Sequence, residues 1–187
     1  MRVIGGTAKG RRLKVPRKKG VRLTSDYLRE ALFDILGSSV RGVRFLDLYA
    51  GSGAVGIEAL SRGGGEVIFL EQDPGCLRVL RENLEATGLG QRRVVAGDVL
   101  RILSRLNRQG ERFDIIFLDP PYGTGLAQRT LALVASSDLL QPRGVVIVER
   151  FAKDLLPESV GNLLRVRETV HGQTVLSFYG RAVEVRR

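Results

Sequence analysis

The sequence predicts an α/β fold built on a mainly parallel sheet. Short apolar runs between residues 43 and 149 alternate with amphipathic stretches of helical periodicity. Regular strand–helix alternation favours parallel strands covered by helices on both faces. Two further strand-like runs near the end of the chain, joined by a short turn, predict an antiparallel edge hairpin and bring the expected total to seven strands.

Each predicted element has a local signal of its own. Thr24 or Ser25 can cap a first helix, whose apolar face is predicted to include Tyr27 and Leu28 and which Gly37 ends. Apolar runs bounded by turn residues predict the strands, and helical periodicity predicts the helices between them. The predicted strands are 43–48, 66–70, 93–98, 113–118, 144–149, 164–170 and 174–179, and the later helices are 54–61, 75–87, 99–107 and 125–136.

The run Asp119-Pro120-Pro121-Tyr122 directly follows the buried strand predicted at 113–118. Two prolines end the strand and stiffen the turn, because proline cannot donate to a sheet ladder. A carboxylate beside an aromatic ring suits a planar heterocycle with an exocyclic amine: the acid accepts from the amine while the ring stacks. For this motif alone, a strand-ending turn with a solvated aspartate is the alternative.

A glycine-rich loop follows the first predicted strand. Gly51, Gly53 and Gly56 form the pattern G-x-G-x-x-G, with Ser52 between the first two. Such a loop lets the backbone approach a ligand and directs a helix N-terminus at an anionic group. Asp47, just before the loop, would repel a pyrophosphate but attract a ligand with an ammonium and a sulfonium group. This pattern favours S-adenosyl-L-methionine as the cofactor.

Acidic residues end four successive strands of the predicted sheet. Besides Asp47 and Asp119, Glu71 is suited to ribose hydroxyl groups and Asp98 to an adenine amino group. Taken singly, each acid is as consistent with a solvated strand end or a helix cap. Four of them in succession favour a ligand crevice, because the carboxyl ends of parallel strands lie at one edge of the sheet.

The glycine-rich loop after Asp47, followed along the chain by Glu71, Asp98 and the Asp-Pro-Pro-Tyr motif, resembles the motif order of class I S-adenosylmethionine-dependent methyltransferases. More narrowly, the segments at 2–6, 9–13 and 24–33 are similar to the bacterial guanine-N2 methyltransferases of 16S ribosomal RNA. The resemblance implies a Rossmann-like fold and methylation of 16S ribosomal RNA, free or within the small-subunit particle. It implies catalytic roles for Asp119, Pro120, Pro121 and Tyr122, and cofactor contacts from Asp47, Tyr49, Gly51, Ser52, Gly53, Glu71, Gln72, Asp98 and Val99.

The same resemblance leaves two residues with alternative roles. Thr24 and Arg29 either close over the methionine end of the cofactor or serve as a helix cap and a surface charge. The Asp-Pro-Pro-Tyr motif is shared with amino-methyltransferases of DNA, so it specifies the chemistry better than the substrate. Methylation of adenine N6 in DNA is therefore the alternative function.

The formal net charge of +10 is concentrated near the N-terminus. Residues 1–44 carry twelve Lys and Arg against three Asp and Glu, which predicts a nucleic-acid partner. We expect residues 1–22 to form a basic N-terminal extension, a short hairpin, ahead of a methyltransferase domain at 23–187; a solvated basic tail is the alternative. The residues expected to contact RNA phosphates are Lys9, Arg11, Arg12, Arg17, Lys18 and Lys19.

Several classes of protein fit the sequence poorly. No apolar stretch is long enough to span a bilayer, no signal-peptide pattern is present, and a single Cys76 provides neither a disulfide nor metal-ligand spacing. We therefore expect a cytoplasmic monomer without a metal or a membrane partner. A nicotinamide dehydrogenase would not need the Asp-Pro-Pro-Tyr motif, and a noncatalytic RNA-binding protein would have no use for four acids lining a crevice.

Overall fold

The computed structural model describes residues 1–16 and 25–182, and within these it contains eight β-strands and five α-helices. They group into two compact units, residues 1–102 and residues 103–187. None of the described helices is both long and apolar enough to cross a lipid bilayer. The boundary predicted at residue 22, between extension and domain, lies outside the described residues and stays a prediction.

The first unit is built around three parallel strands. Its elements are α1 (Asp26–Leu36), a 3₁₀ helix (Gly37–Val40), β1 (Arg44–Leu48), α2 (Ala54–Ser61), β2 (Glu66–Glu71), α3 (Pro74–Thr87) and β3 (Gln91–Ala96). The strand order is β3-β2-β1, and Leu46 of β1 is in register with Ile68 of β2. All apolar residues of β1 and β2 are buried, which is why these strands appear in the sequence as continuous apolar runs.

Helix α1 begins and ends where its capping residues predict. The Ser25 hydroxyl accepts a hydrogen bond from Leu28 N at 3.1 Å, and Gly37, with φ of 52°, follows the last helical residue. Leu28 and Leu32 are buried, but Tyr27 is 67% exposed, so the predicted apolar face is wrong at that position. At about 100° per residue, Tyr27 lies opposite the centre of the buried face, which is formed by Leu28, Arg29, Leu32, Phe33 and Leu36.

The N-terminal residues fold back on themselves within the first unit. Arg2 and Arg12 form an antiparallel bridge, and Val3 N donates to Arg11 O at 3.0 Å. Val3 and Leu13, next to the bridged residues in the chain, are buried. The described N-terminal segment, residues 1–16, is therefore anchored by apolar side chains as well as by backbone hydrogen bonds.

The second unit contains the remaining strands, and its first helix crosses the division between the units. The elements are α4 (Val99–Arg108), β4 (Phe113–Leu118), α5 (Leu126–Ala135), β5 (Leu140–Phe151), β6 (Ser159–Val160), β7 (Leu163–His171) and β8 (Thr174–Arg181). The strand order is β4-β5-β8-β7-β6. β4 and β5 pair in parallel, whereas the pairs β5–β8, β8–β7 and β7–β6 are antiparallel.

These elements confirm the predicted α/β class, with parallel strands followed by an antiparallel edge. All seven predicted strands are present. The eighth described strand, Ser159–Val160, was not predicted, because two residues show no alternation. β5 starts at Leu140 rather than at residue 144, across Pro142, where the register with β4 shifts. Proline in a strand is confined to such irregular places, and the sequence signal there is that of a turn.

Candidate active site

The glycine-rich loop between β1 and α2 has an unusual backbone. Tyr49, Gly51 and Gly53 have positive φ angles of 61°, 56° and 78°. A positive φ is costly for tyrosine, and residues held in this way cluster at functional sites. A Cβ atom on Gly53 would lie 2.1 Å from Leu80 Cδ1, whereas one on Gly51 would meet nothing closer than 3.9 Å. The loop is thus packed on one side and open beside Gly51, where a ligand can approach.

Asp47 is buried beneath this loop. It is 2% exposed, and its Oδ2 accepts a hydrogen bond from Gly56 N at 3.0 Å. A Cβ atom on Gly56 would lie 2.9 Å from the same oxygen, so glycine is required for this contact. Burial raises the pKa of Asp47 to about 7, and the nearby Glu71 carboxylate adds to the increase. A buried acid that resists ionisation favours a cationic neighbour.

Glu71, at the end of β2, is joined to the glycine-rich loop. Its Oε2 accepts from Gly51 N at 2.8 Å, and its Oε1 accepts from Gln72 N and Asp73 N at 2.8 Å each. The structure therefore brings Glu71 together with Gly51 and Gln72, three of the residues predicted to bind the cofactor. Each carboxylate oxygen can accept more than one hydrogen bond, so the predicted contact with ribose hydroxyls stays compatible with this arrangement.

The acid after β3 has a local role as well. Asp98 is exposed, and its Oδ1 accepts from Arg101 N at 2.9 Å, which caps the first turn of α4. Val99, the next residue, is 3% exposed and belongs to the core. The predicted contact of Asp98 with an adenine amino group stays a prediction, for which the exposed carboxylate retains accepting capacity.

Asn83 is a residue of this region that the sequence did not reveal. It is 1% exposed, and its side-chain nitrogen donates to Ser52 O at 2.9 Å and to Lys14 O at 3.0 Å, while its oxygen accepts from Lys14 N at 2.8 Å. One amide on α3 thus joins the glycine-rich loop to the N-terminal segment. A lone Asn within a helix carries no sequence signal for such a role.

A second missed residue, Glu58, anchors the other end of the N-terminal segment. Its carboxylate is fully buried and accepts from Ile4 N at 2.8 Å, from Gly5 N at 2.7 Å and from Arg62 Nε at 2.8 Å. Buried charges are rare unless they are paired in this way. The signal that could have found it is a single acid inside the apolar helix α2.

Arg29 is buried, so the alternative of a surface charge at this position is wrong. Its Nη2 donates to Arg2 O and to Asp26 Oδ1, both at 2.7 Å. Within the described residues, its Nε and Nη1 atoms have no hydrogen-bond partner. Burial lowers the pKa of Arg29, and a guanidinium with two unused donors is suited to an anionic group. Thr24, its predicted companion, lies outside the described residues.

The basic residues expected to contact RNA do not all have the same surroundings. Lys9 and Arg12 are exposed. Arg11 is also exposed, but its Nη1 donates to Ala86 O at 2.9 Å and to Thr87 O at 2.8 Å, at the C-terminal end of α3. Cations at a helix C-terminus satisfy its free carbonyl groups, so Arg11 has a structural task. The other three, Arg17, Lys18 and Lys19, lie outside the described residues.

The Asp-Pro-Pro-Tyr motif lies in the second unit, directly after β4. Asp119 and Tyr122 are half-buried, Pro120 is buried and Pro121 is exposed. The turn is closed by the Thr124 hydroxyl, which donates to Pro121 O at 2.6 Å. The motif therefore presents its acid and its aromatic ring from a short, internally bonded turn at the carboxyl end of a buried strand.

Solved structures similar to this chain include putative methyltransferases. The putative methyltransferase yhhF from Escherichia coli matches with a TM-score of 0.86 and 34% identity, over 98% of this chain and 99% of that one. The putative methylase HI0767 from Haemophilus influenzae matches with a TM-score of 0.79 and 30% identity, over 96% and 97%. The fold is the Rossmann-like fold of class I methyltransferases.

The chain belongs to the family described as Conserved hypothetical protein 95, whose model matches residues 1–180. A curated relative, the putative rRNA methyltransferase YlbH of Bacillus subtilis strain 168, is 37% identical over 180 residues, which are 96% of this chain and 98% of that protein. The Ribosomal RNA small subunit methyltransferase D of Escherichia coli strain K12 is 35% identical over 184 residues, 98% of this chain and 91% of that protein. These relatives confirm the resemblance noted in the sequence.

Proposed function

We propose that this chain is an S-adenosyl-L-methionine-dependent methyltransferase of ribosomal RNA, and that its target is the exocyclic N2 amine of a guanine in 16S RNA. The observation that carries the proposal is the Asp119–Tyr122 turn at the end of buried β4. Its half-buried acid can accept a hydrogen bond from an aromatic amine, and its half-buried ring can stack on the base that carries the amine. The names of the relatives support ribosomal RNA as the substrate class.

The residues around the glycine-rich loop fit the proposed cofactor. Asp47 and Glu71 supply negative charge for a cationic ligand, and the open side of Gly51 admits a close backbone contact. Arg29 offers a carboxylate two nitrogen donors that have no partner in the described part of the chain. When bound, the sulfonium supplies a methyl group that is already activated for displacement, so the proposed reaction needs no metal.

The chemical task of the motif is to prepare a weak nucleophile. The guanine amine is unreactive because its lone pair is delocalised into the ring. Hydrogen bonds from this amine to the Asp119 carboxylate and to the Pro120 carbonyl favour pyramidal nitrogen and localise the lone pair. Tyr122 stacks on the base, which must leave any helix to be reached. As the N–C bond forms, the S–C bond of the sulfonium would break and S-adenosylhomocysteine would leave. The nitrogen loses a proton, and Asp119 or water accepts it.

The substrate surface is proposed to include the exposed basic residues Lys9 and Arg12 of the N-terminal segment. Phosphate contacts by such residues position RNA without reading its sequence. The target nucleotide is then selected by the motif and by the fold of the RNA. A ribosomal substrate also agrees with a cytoplasmic location, and we propose that one chain acts alone on each RNA.

Transfer of a labelled methyl group tests the proposal. The wild-type chain is incubated with labelled S-adenosyl-L-methionine and, in turn, 16S RNA, small-subunit particles and duplex DNA, and the product nucleosides are separated. We expect N2-methylguanosine from RNA or particles. Asp119→Ala should lower turnover by about 100-fold or more, while Asp138→Ala, at an acid that is 76% exposed, serves as the matched control. N6-methyladenine from DNA would replace this proposal with the alternative function.

A further inference from the structure

A second acid lies beside the Asp-Pro-Pro-Tyr motif. The last paired residues of β4 and β5 are Leu118 and Val148, so Asp119 and Glu149 are the next residues along two parallel strands. Glu149 is 1% exposed, and a buried carboxylate is retained only where hydrogen-bonding partners compensate its desolvation. One partner of Glu149 belongs to the motif itself.

That partner is Tyr122, which β5 contacts at two points. The Tyr122 hydroxyl donates to Glu149 Oε1 at 3.4 Å, and its ring stacks on the Phe151 ring with centroids 5.9 Å apart and planes inclined by 28°. Glu149 and Phe151 are two positions apart on one strand, so their side chains face the same side. The strand thus supports both the polar tip and one face of the Tyr122 ring.

We propose that Glu149 and Phe151 are positioning residues for the target base, an inference that rests on the proposed function. Phe151 covers one face of Tyr122 and opposes rotation of its ring about χ2, and the hydroxyl contact with Glu149 limits movement of the side chain about χ1. The base then stacks on the opposite face of Tyr122 and extends a stack that begins at Phe151. A ring held in advance loses less conformational freedom when the base binds.

Substitutions at the two positions separate positioning from general stability. Glu149→Leu removes the acceptor but keeps the volume, Glu149→Gln keeps an accepting oxygen, and Phe151→Leu removes the flat surface. We expect Glu149→Leu and Phe151→Leu to raise KM for RNA about tenfold, within the range of lost base stacking. Turnover and cofactor affinity should change far less. Glu149→Gln should keep KM for RNA close to the wild-type value.

A double-mutant cycle with Tyr122→Phe tests whether Glu149 acts through the hydroxyl group. If it does, Glu149→Leu adds little to KM in the Tyr122→Phe background. The matched control is Glu158→Leu, at an acid that is 89% exposed, and it should leave KM unchanged. Fully additive effects of Glu149→Leu and Tyr122→Phe would overturn the assignment.

Fluorine NMR of the 3-fluorotyrosine-labelled chain gives a readout that is independent of catalysis. The chain has four tyrosines, and loss of one signal in Tyr122→Phe identifies that of Tyr122. We expect Glu149→Leu and Phe151→Leu each to shift or broaden this signal, with the Glu158→Leu signal unchanged. An unaltered Tyr122 signal in both variants would overturn the inference. If the wild type methylates no RNA, the proposed function fails, whereas the fluorine signals still report whether β5 holds Tyr122.

Discussion

The carboxylate of Asp47 accepts a hydrogen bond from Gly56 N at 3.0 Å, beneath the glycine-rich loop. This contact gives one residue two tasks. As an acceptor it holds the start of α2 against the end of β1, and as an acid it carries negative charge into a region from which water is excluded. Because its pKa is about 7, the charge of Asp47 depends on pH in a range that experiments can reach.

The first prediction concerns stability as a function of pH. The Asp47 pKa of about 7 in the folded chain exceeds its ordinary value of 3.8, so between these pH values the folded state binds more protons and the free energy of unfolding falls as pH rises. Asparagine stays neutral and can still accept from Gly56. The free energy of unfolding of Asp47→Asn, taken relative to that of the wild type, should therefore rise by about 3 kcal/mol from pH 5 to pH 8. Urea unfolding at the two pH values measures it. Parallel pH profiles would contradict this.

The second prediction concerns cofactor binding. A cationic ligand favours the ionised form of Asp47, so S-adenosyl-L-methionine should release about half a proton when it binds at pH 7. Calorimetry in phosphate and in Tris measures this release, because the two buffers differ in ionisation enthalpy. Asp47→Asn should bind more weakly and show no buffer dependence. Asp47→Ala should be weaker still, since it also loses the bond to Gly56. NAD binding as tight as that of S-adenosyl-L-methionine would refute the assignment.

The third prediction concerns the link made by Asn83. Asn83→Ala removes the partner of the buried Ser52 carbonyl and two bonds to Lys14, and should lower the free energy of unfolding by about 1–3 kcal/mol. It should also weaken cofactor binding, because the glycine-rich loop loses a support. Glu85→Ala, at an exposed residue of the same helix, is the control. Equal cofactor affinity in both variants would show that the loop keeps its shape without Asn83.

The fourth prediction separates the basic residues of the N-terminal segment. Neutralising Lys9 and Arg12, which are exposed, should weaken RNA binding and reduce its salt dependence by about 0.7 log units per lost phosphate contact. Stability should stay unchanged. Arg11→Ala should in addition lower the free energy of unfolding by about 1 kcal/mol, because it removes hydrogen bonds at the C-terminus of α3. Filter binding across a salt series measures RNA affinity, and urea unfolding measures stability. An Arg11→Ala variant as stable as the wild type would contradict the structural role of Arg11.

The parts of the site that were predictable from the sequence are runs of consecutive residues. The glycine-rich loop and the Asp-Pro-Pro-Tyr turn each follow an apolar strand, and a strand end followed by such residues is a local pattern. Asn83 and Ser52 are 31 positions apart, and Tyr122 and Glu149 are 27 apart. No periodicity connects such pairs, so their partnership could not be predicted from one sequence.

By itself the sequence determined the α/β alternation, the order of the strand-end acids and the two motifs, because backbone propensity and hydrophobic period act over a few neighbouring residues. Only the tertiary structure decided that Arg11 caps α3 and that Arg29 is buried, with two nitrogen atoms that find no partner among residues 1–16 and 25–182. The physical reason is that each of these side chains donates to backbone carbonyl groups distant in sequence, Arg11 to those of Ala86 and Thr87 and Arg29 to that of Arg2. Those groups are brought near it only when the chain folds.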